Sequence, residues 1–307
     1  MTLDAKSTTP DKSTALAYFF LTCTALCWAA NAIFGRLAVG EISPMLLVAL
    51  RWLVVVMLLA AFARRAIRRD LPALKARWGY LAAMGTLGFA TFNAIYYVAA
   101  HSTTAVNIGI IQGAMPMFVF VGAFLAYRTP VTALQVSGAV LTVAGVALVA
   151  SAGSLERLAG LQFAPGDVLI VLACVIYSGY TVALRRRPEV PALSMFAALA
   201  GAAFAASLPM VAAEAALGQL RWPTATGWIL VVLVAIFPSV IAQTCFIKGV
   251  ALIGPGRAGV FMNLTPVFVS AMAISILGEA FRPFHAAALC LVLGGIWLSE
   301  RGKVAAG

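Results

Sequence analysis

The main amides inside long apolar stretches of the 307-residue chain are Asn31, Asn93, Asn107, Gln112, Gln243 and Asn263. An amide both donates and accepts hydrogen bonds, which suits a zwitterionic ligand carrying an ammonium and a carboxylate. The same stretches hold Trp28, Phe92, Tyr96, Tyr97, Tyr177, Tyr180 and Phe246, rings able to form an amphiphilic wall for an apolar or aromatic side chain. The candidate binding set is therefore Trp28, Asn31, Asn93, Tyr96, Gln112, Tyr177, Tyr180, Gln243, Phe246 and Asn263. Against it stand two structural readings. The amides could clamp one helix to another, and aromatic rings often face lipid or form an interfacial belt, a reading that fits Trp52, Trp78, Trp222 and Trp228.

Chemistry of other kinds is poorly supplied. The apolar stretches show no Ser/His/Asp triad, no paired central carboxylates and no metal-ligand spacing, so neither an enzyme nor a cofactor or metal is expected. Cys23, Cys27, Cys174, Cys245 and Cys290 all lie in apolar runs and read as small buried hydrophobes. Asp167, Glu214, Glu279, His101 and His285 fall near the ends of those runs. A carrier coupled to protons or sodium usually has an acidic or imidazole group at membrane depth, so uncoupled movement is the expectation. Arg51 is the only arginine well inside a run. Snorkelling to the surface or pairing with Glu41 is its first reading, contact with a substrate carboxylate the lesser one.

The elements that must position these groups follow from composition. Hydrophobic residues make up 63% of the chain and charged residues 10%, against about 25% charged in a soluble domain. Most of the surface must face lipid. Apolar runs near 15–39, 44–63, 78–99, 104–127, 131–151, 166–184, 192–215, 225–247, 257–277 and 284–300 are each close to the ~20 residues a crossing requires. Leu71-Pro72, Thr129-Pro130, Gly254-Pro255-Gly256 and similar breakers separate them. Residues 1–14 and 301–307 read as polar tails.

The net charge of +11 resides in the connections, without interleaved aromatics, so it bears on membrane orientation and not on nucleic acid. With the N-terminus inside, inner segments hold 16 of the Lys and Arg residues (positions 6, 12, 64, 65, 68, 69, 75, 77, 128, 185, 186, 187, 248, 257, 301 and 303). Outer segments hold 4: Arg36, Arg157, Arg221 and Arg282. That asymmetry predicts both termini in the cytoplasm.

A shift of about 150 residues brings Asn93 onto Gln243, Gly109 onto Gly259, Pro116 onto Pro266 and Gly145 onto Gly295. The chain thus divides into five-helix halves, 15–151 and 152–300. Five is odd, so the second half enters the membrane from the opposite side. The predicted fold is all-α, ten transmembrane helices in two inverted repeats, N-in and C-in. Gly109 and Gly113 form a small-residue step in span 4, matched by Gly259 and Asn263 in span 9, so these two spans are expected to pack closely. Pro116, Pro238 and Pro266 are expected to kink or hinge their spans, as is Pro209.

Cys27-Trp28-Ala29-Ala30-Asn31, the stretch Tyr177 to Arg185, and the run from Asn263-Leu264-Thr265-Pro266-Val267 to Leu277-Gly278-Glu279 occur in an order that resembles the EamA-type branch of the drug/metabolite transporter superfamily. The first half carries Ala114-Met115-Pro116 in the matching place but Arg128 where Glu279 would be echoed. The resemblance implies a small-metabolite transporter of a bacterial inner membrane, similar to exporters of amino acids and aromatic amino acids. Its expected partners are a small solute and the lipid bilayer, and its expected state is a monomer or homodimer. The alternative is a carrier of phosphorylated solutes such as nucleotide sugars or sugar phosphates, which would require converging Lys and Arg in a cavity.

Overall fold

In the computed structural model, residues 12–128, 132–160, 163–253, 258 and 261–301 are described. Gly259, the breakers at 129–130 and 254–256, Arg257 and residues 1–11 and 302–307 lie outside them, whereas residues 12–14 and 301 of the expected tails are helical. The described residues are helical, with no strand among them. Eight helices are long and apolar enough to cross a membrane: α1 Ser13–Leu37, α2 Pro44–Phe62, α3 Trp78–Ala99, α4 Ala105–Tyr127, α5 Ala133–Ala150, α6 Pro165–Arg186, α7 Ala192–Ala216 and α8 Ala225–Ile253. Two shorter apolar helices follow, α9 Met262–Leu277 and α10 Pro283–Ser299. Together they make a multi-pass integral membrane protein.

Local sequence explains where the helices begin. Proline stands at the first turn of α2 and α6, where the missing N–H costs nothing. Thr104, Thr132 and Thr224 cap α4, α5 and α8, each accepting a hydrogen bond from the backbone N–H three residues on. At α5 Gln135 reaches back to the Thr132 N–H, completing a capping box.

Three expectations are corrected. Residues 64–77 were expected to be a connection broken at Pro72. Arg64–Ala76 is a helix with Pro72 inside it, charged along one side and burying Leu74 on the other. Hydrophobic contact with the bundle outweighs the local proline cost there. Pro116 and Pro266 do not kink helix interiors. Each opens a new segment, Met115–Tyr127 after a break at Ala114 and Thr265–Leu277 after a 3₁₀ turn. Lys248 does not end α8, which runs on to Ile253.

The two halves carry the same irregularities 150 residues apart. A six-residue π-helical turn interrupts α3 at Thr86–Thr91 and α8 at Ile236–Ile241. Helices α4 and α9 are both broken one turn before their proline segments. Each of those segments ends on a left-handed residue, Arg128 at φ 52° and Gly278 at φ 65°. Arg128 therefore matches Gly278, and not Glu279 as the sequence alignment had it.

Small residues hold the bundle together. A Cβ on Gly109 would stand 2.6 Å from Val269, and one on Gly113 would stand 3.3 Å from Pro266, so α4 and α9 pack closely and antiparallel. Helices α5 and α10 also meet backbone to backbone, with Gly145 against the Ala288 carbonyl. Shape fit of this kind substitutes for hydrophobic force, since lipid is as apolar as the helix faces.

Candidate functional site

Arg51 sits seven residues into α2, roughly 10 Å along the helix from Pro44. It is 5% exposed. Neither expected arrangement holds. The side chain does not snorkel, and Glu41 is engaged elsewhere, by the Thr224 hydroxyl. Among the described residues no carboxylate lies within ion-pair distance of Arg51. Its partners are neutral. Nε donates to Ser239 Oγ at 2.9 Å. Nη1 donates to Asn31 Oδ1 at 3.0 Å, Asn93 Oδ1 at 2.6 Å and Tyr97 Oη at 2.7 Å. Four helices, α1, α2, α3 and α8, thus converge on one guanidinium.

The π-helical turns are what bring the acceptors in. Pro238 has no N–H to give to the Val234 carbonyl, and the Ser239 hydroxyl donates to that carbonyl at 2.8 Å while it accepts from Arg51. In α3, Asn93 Nδ2 donates to the Phe89 carbonyl at 2.6 Å, which leaves Oδ1 for the arginine. Tyr97 donates to Asn31 Oδ1 at 3.1 Å and closes the network.

Aromatic rings continue the cluster. Arg51 lies over Trp52, 5.2 Å from the ring centre, and Trp52 stacks on Phe89 at 4.8 Å. From Phe89 the contacts run through Tyr180, Tyr177, Phe92 and Tyr96 to Tyr97, with each pair of centroids 4.9–5.8 Å apart. Trp52 is 3% exposed, so it is not a belt residue, whereas Trp78, Trp222 and Trp228 are exposed as expected.

The structure brings together Asn31, Asn93, Tyr96, Tyr177 and Tyr180 from the expected binding set. Tyr96 is fully buried in this conformation and lines no open space; its hydroxyl reaches Gln112 only at 3.5 Å. Trp28 and Phe246 form a separate pair between α1 and α8, 5.6 Å apart. Gln243 does not join Asn93: it is half-buried and has no hydrogen-bond partner among the described residues. Asn263 is half-buried in the 3₁₀ turn before Pro266. Asn107 turns away, donating to both carboxylate oxygens of Asp167.

Sequence reasoning missed the work of the acidic residues. Glu214, at the end of α7, accepts from Ser43 Oγ at 2.6 Å and from the Met45 and Leu46 N–H groups that open α2. Glu279 likewise accepts from the N–H groups of Ala105 and Val106 at the start of α4. A carboxylate at a helix N-terminus satisfies free donors and complements the helix dipole. Arg36 donates to the Ala100 carbonyl and lies 3.8 Å from Glu279. Such contacts tie α1, α2, α4, α7 and α9 at one end of the bundle, which we call the acidic end. At the opposite, basic end the ties among the described residues include Tyr80 to the Ala183 carbonyl, Tyr127 to the Val182 carbonyl, Arg77 to the Arg186 carbonyl and Ser194 to Asp70 at 2.5 Å. The Ser194 hydroxyl, and after it Arg69, holds Asp70 below the usual carboxylate range.

A groove of about 780 Å³ opens at the acidic end, lined by Ser43 and Met45 of α2, Ala94 and Val98 of α3, His101, and Glu214 of α7. Burial, then the charges of Arg36 and Arg221, hold His101 below the usual imidazole range, so it is neutral at pH 7. Ala94, in the groove wall, is the chain neighbour of Asn93 in the arginine cluster.

A helical membrane bundle with recurring irregularities in its halves and a polar cluster between helices is the general design of a solute carrier. Comparison with known proteins narrows this. The sequence profile described as the EamA-like transporter family matches residues 15–151 and again 164–301. The chain belongs to that family. An uncharacterized transporter of Bacillus subtilis, YetK, is 28% identical over 92% of this chain and 86% of its own length. An uncharacterized transporter of Archaeoglobus fulgidus is 24% identical over 92% of this chain and 96% of its own. A solved crystal structure, 21% identical, has the same fold with a TM-score of 0.63 over 95% of this chain and 98% of that one.

Proposed function

We propose that this transporter exports amino acids or related small amphiphilic metabolites across a bacterial inner membrane by alternating access. The observation that carries the reading is the joined aromatic face of Phe92, Tyr177 and Tyr180, continued through Tyr96 to the weakly bonded amide of Gln112. Such a surface can hold an apolar side chain and hydrogen-bond the polar end of the same molecule. The irregularities repeated at a 150-residue interval support two inverted five-helix halves that rock about it. A carrier of phosphorylated solutes is the weaker reading. A phosphate dianion calls for converging cations, and Arg51 is the sole buried Lys or Arg among the described residues.

The deciding experiment is uptake into proteoliposomes with a broad amino acid panel beside sugar phosphates and nucleotide sugars. Saturable amino acid uptake is expected, and uptake confined to phosphorylated solutes would overturn the reading. No central carboxylate is present among the described residues, so imposed proton, sodium or valinomycin gradients are expected to leave that uptake nearly unchanged. Concentrative uptake driven by any of them would reveal a coupling site. The N-in, C-in orientation places Arg68 inside and His101 outside. In a cysteine-free background, an impermeant thiol reagent on intact cells should label His101→Cys and spare Arg68→Cys; the reverse pattern would invert the topology.

A further inference from the structure

We propose that Arg51 is the carboxylate-binding residue of this carrier, so that its solutes are small organic acids or zwitterions bearing one carboxylate. The inference rests on the amino acid reading above only for the rest of the solute, not for the anionic group.

Three observations carry it. The first is an uncompensated charge. A guanidinium keeps its proton in any protein environment, and Arg51 is buried in an apolar helix with no described carboxylate near enough to pair with it. An ionised group at membrane depth is costly and is retained where it serves a partner.

The second is the donor count. Nη1 has two hydrogens but three acceptors within 3.0 Å, so one acceptor is always without a hydrogen of its own. Nη2 also has two hydrogens, and among the described residues none of the Arg51 hydrogen bonds uses that atom. A carboxylate gripping the Nη1–Nη2 edge would take one hydrogen from each nitrogen, leaving one Nη1 hydrogen for the three present acceptors. The exchange gives up one bond to a neutral acceptor and gains two charge-assisted bonds together with the missing countercharge.

The third is asymmetry. Position 201, which matches Arg51 in the second half, is glycine, and a Cβ there would meet nothing within 4 Å. Asn31, Asn93 and Tyr97 are matched by Thr181, Gln243 and Ile247. The cation is absent from the other half, and of its three first-half acceptors Tyr97 is replaced there by the apolar Ile247, although the π-helical turns of the backbone repeat. A device needed for the fold would be expected twice; a grip for one carboxylate is needed once.

The guanidinium is sheltered in this conformation, so binding accompanies the rocking that exposes α2 and α3. The groove at the acidic end already reaches Ala94, one residue from Asn93.

The test uses the full chain in detergent micelles. Ligand-induced shifts in unfolding temperature report apparent affinity for phenylalanine, phenylalaninamide, phenethylamine and benzoate. The proteins are the wild type, Arg51→Gln, Arg51→Lys and Asn93→Asp, and the free amino acids are also followed in proteoliposomes. The wild type should bind phenylalanine or benzoate roughly ten- to a hundredfold more tightly than the uncharged-end analogues. Arg51→Gln should remove that gap by weakening the acids alone, and Arg51→Lys should keep part of it. Asn93→Asp places a permanent carboxylate where 2.6 Å now separates amide oxygen from guanidinium. It should fold, because the new ion pair offsets the lost bond to the Phe89 carbonyl, and bind the acids no better than the amide. This last variant decides the matter even if Arg51→Gln does not fold, because a purely structural arginine would gain from the internal countercharge without loss of binding. Benzoate bound through Arg51 with no amino acid bound would keep this assignment and remove the amino acid reading. Amino acids bound and carried equally by wild type and Arg51→Gln, or bound normally by Asn93→Asp, would overturn the assignment and leave the amino acid reading standing. No carboxylate bound at about 10 mM, weaker than any useful site, would overturn both.

Discussion

The surroundings of Arg51 and of Gly201 occupy matching places in the two halves and have been built differently. Both lie in a helix that follows the first long span of its half. The helix of Arg51 packs against the π-helical turn Ile236–Ile241 and the helix of Gly201 against the matching turn Thr86–Thr91. Around Arg51 the polar groups of four helices converge in one hydrogen-bonded network. Around Gly201 there is open space, and the amide at the position matching Asn93, Gln243, is unbonded. The backbone irregularities therefore belong to the fold, and the charge is an addition to one half of it.

The sharpest break of this comparison is at the paired amides. Asn93→Leu removes an acceptor from a buried cation and a donor from the Phe89 carbonyl, and a hydrogen bond to a charged group is worth about 1.5–3 kcal/mol. Its unfolding midpoint in micelles should fall by the equivalent of about 3 kcal/mol, and transport with it. Gln243→Leu loses no partner and should stay within about 0.5 kcal/mol of the wild type. Equal losses in the two variants would mean that the halves are energetically alike.

Next in size is Gly88→Ala. Its Cβ would enter the ring of Tyr180, so the π-helical turn of α3 or the aromatic chain must shift. Overpacking of this kind costs about 1–3 kcal/mol, and a loss near 2 should appear in the same melt, with altered tyrosine fluorescence. Stability equal to the wild type would show that the aromatic chain yields freely.

Ser239→Ala sharpens the comparison, because Ser239 is the one second-half residue bonded to Arg51 among the described residues. Its hydroxyl bridges the arginine and the Val234 carbonyl. A loss of about 1–1.5 kcal/mol is expected. Any effect of Ser239→Ala on transport should disappear in an Arg51→Gln background, since the double-mutant cycle isolates their shared bond. Full additivity would separate the two residues.

The smallest effect belongs to Gly201→Ala. With nothing within 4 Å of the new methyl group, stability should change by less than about 0.5 kcal/mol, and Ala is the better helix former. A large loss would show that the open space is filled in another conformation.

Local pattern and average composition were enough for much of this architecture. Long apolar runs fixed the helices, because a backbone in lipid must satisfy its own hydrogen bonds. Thr104, Thr132, Thr224 and the prolines at helix starts marked boundaries through chemistry confined to a single turn. The 150-residue spacing agrees with the π-helical turns at Thr86–Thr91 and Ile236–Ile241, and Gly109 and Gly113 pointed to the close pairing of α4 with α9. All of that depends on neighbours in sequence or on periodic hydrophobicity.

What only the tertiary structure decided is where polar groups found their partners. Arg51 is separated by 188 residues from Ser239 and by 42 from Asn93. Glu214 caps a helix that begins 170 residues earlier in the chain, and Glu279 caps one at Ala105. No spacing rule relates such residues, because helix packing and not chain order sets their distance. The same cause hid Trp52 in the core and drew the helix Arg64–Ala76 through a proline. Hydropathy fixes which residues leave water, but the pairing of the few charges that leave with them is settled by which helix faces meet.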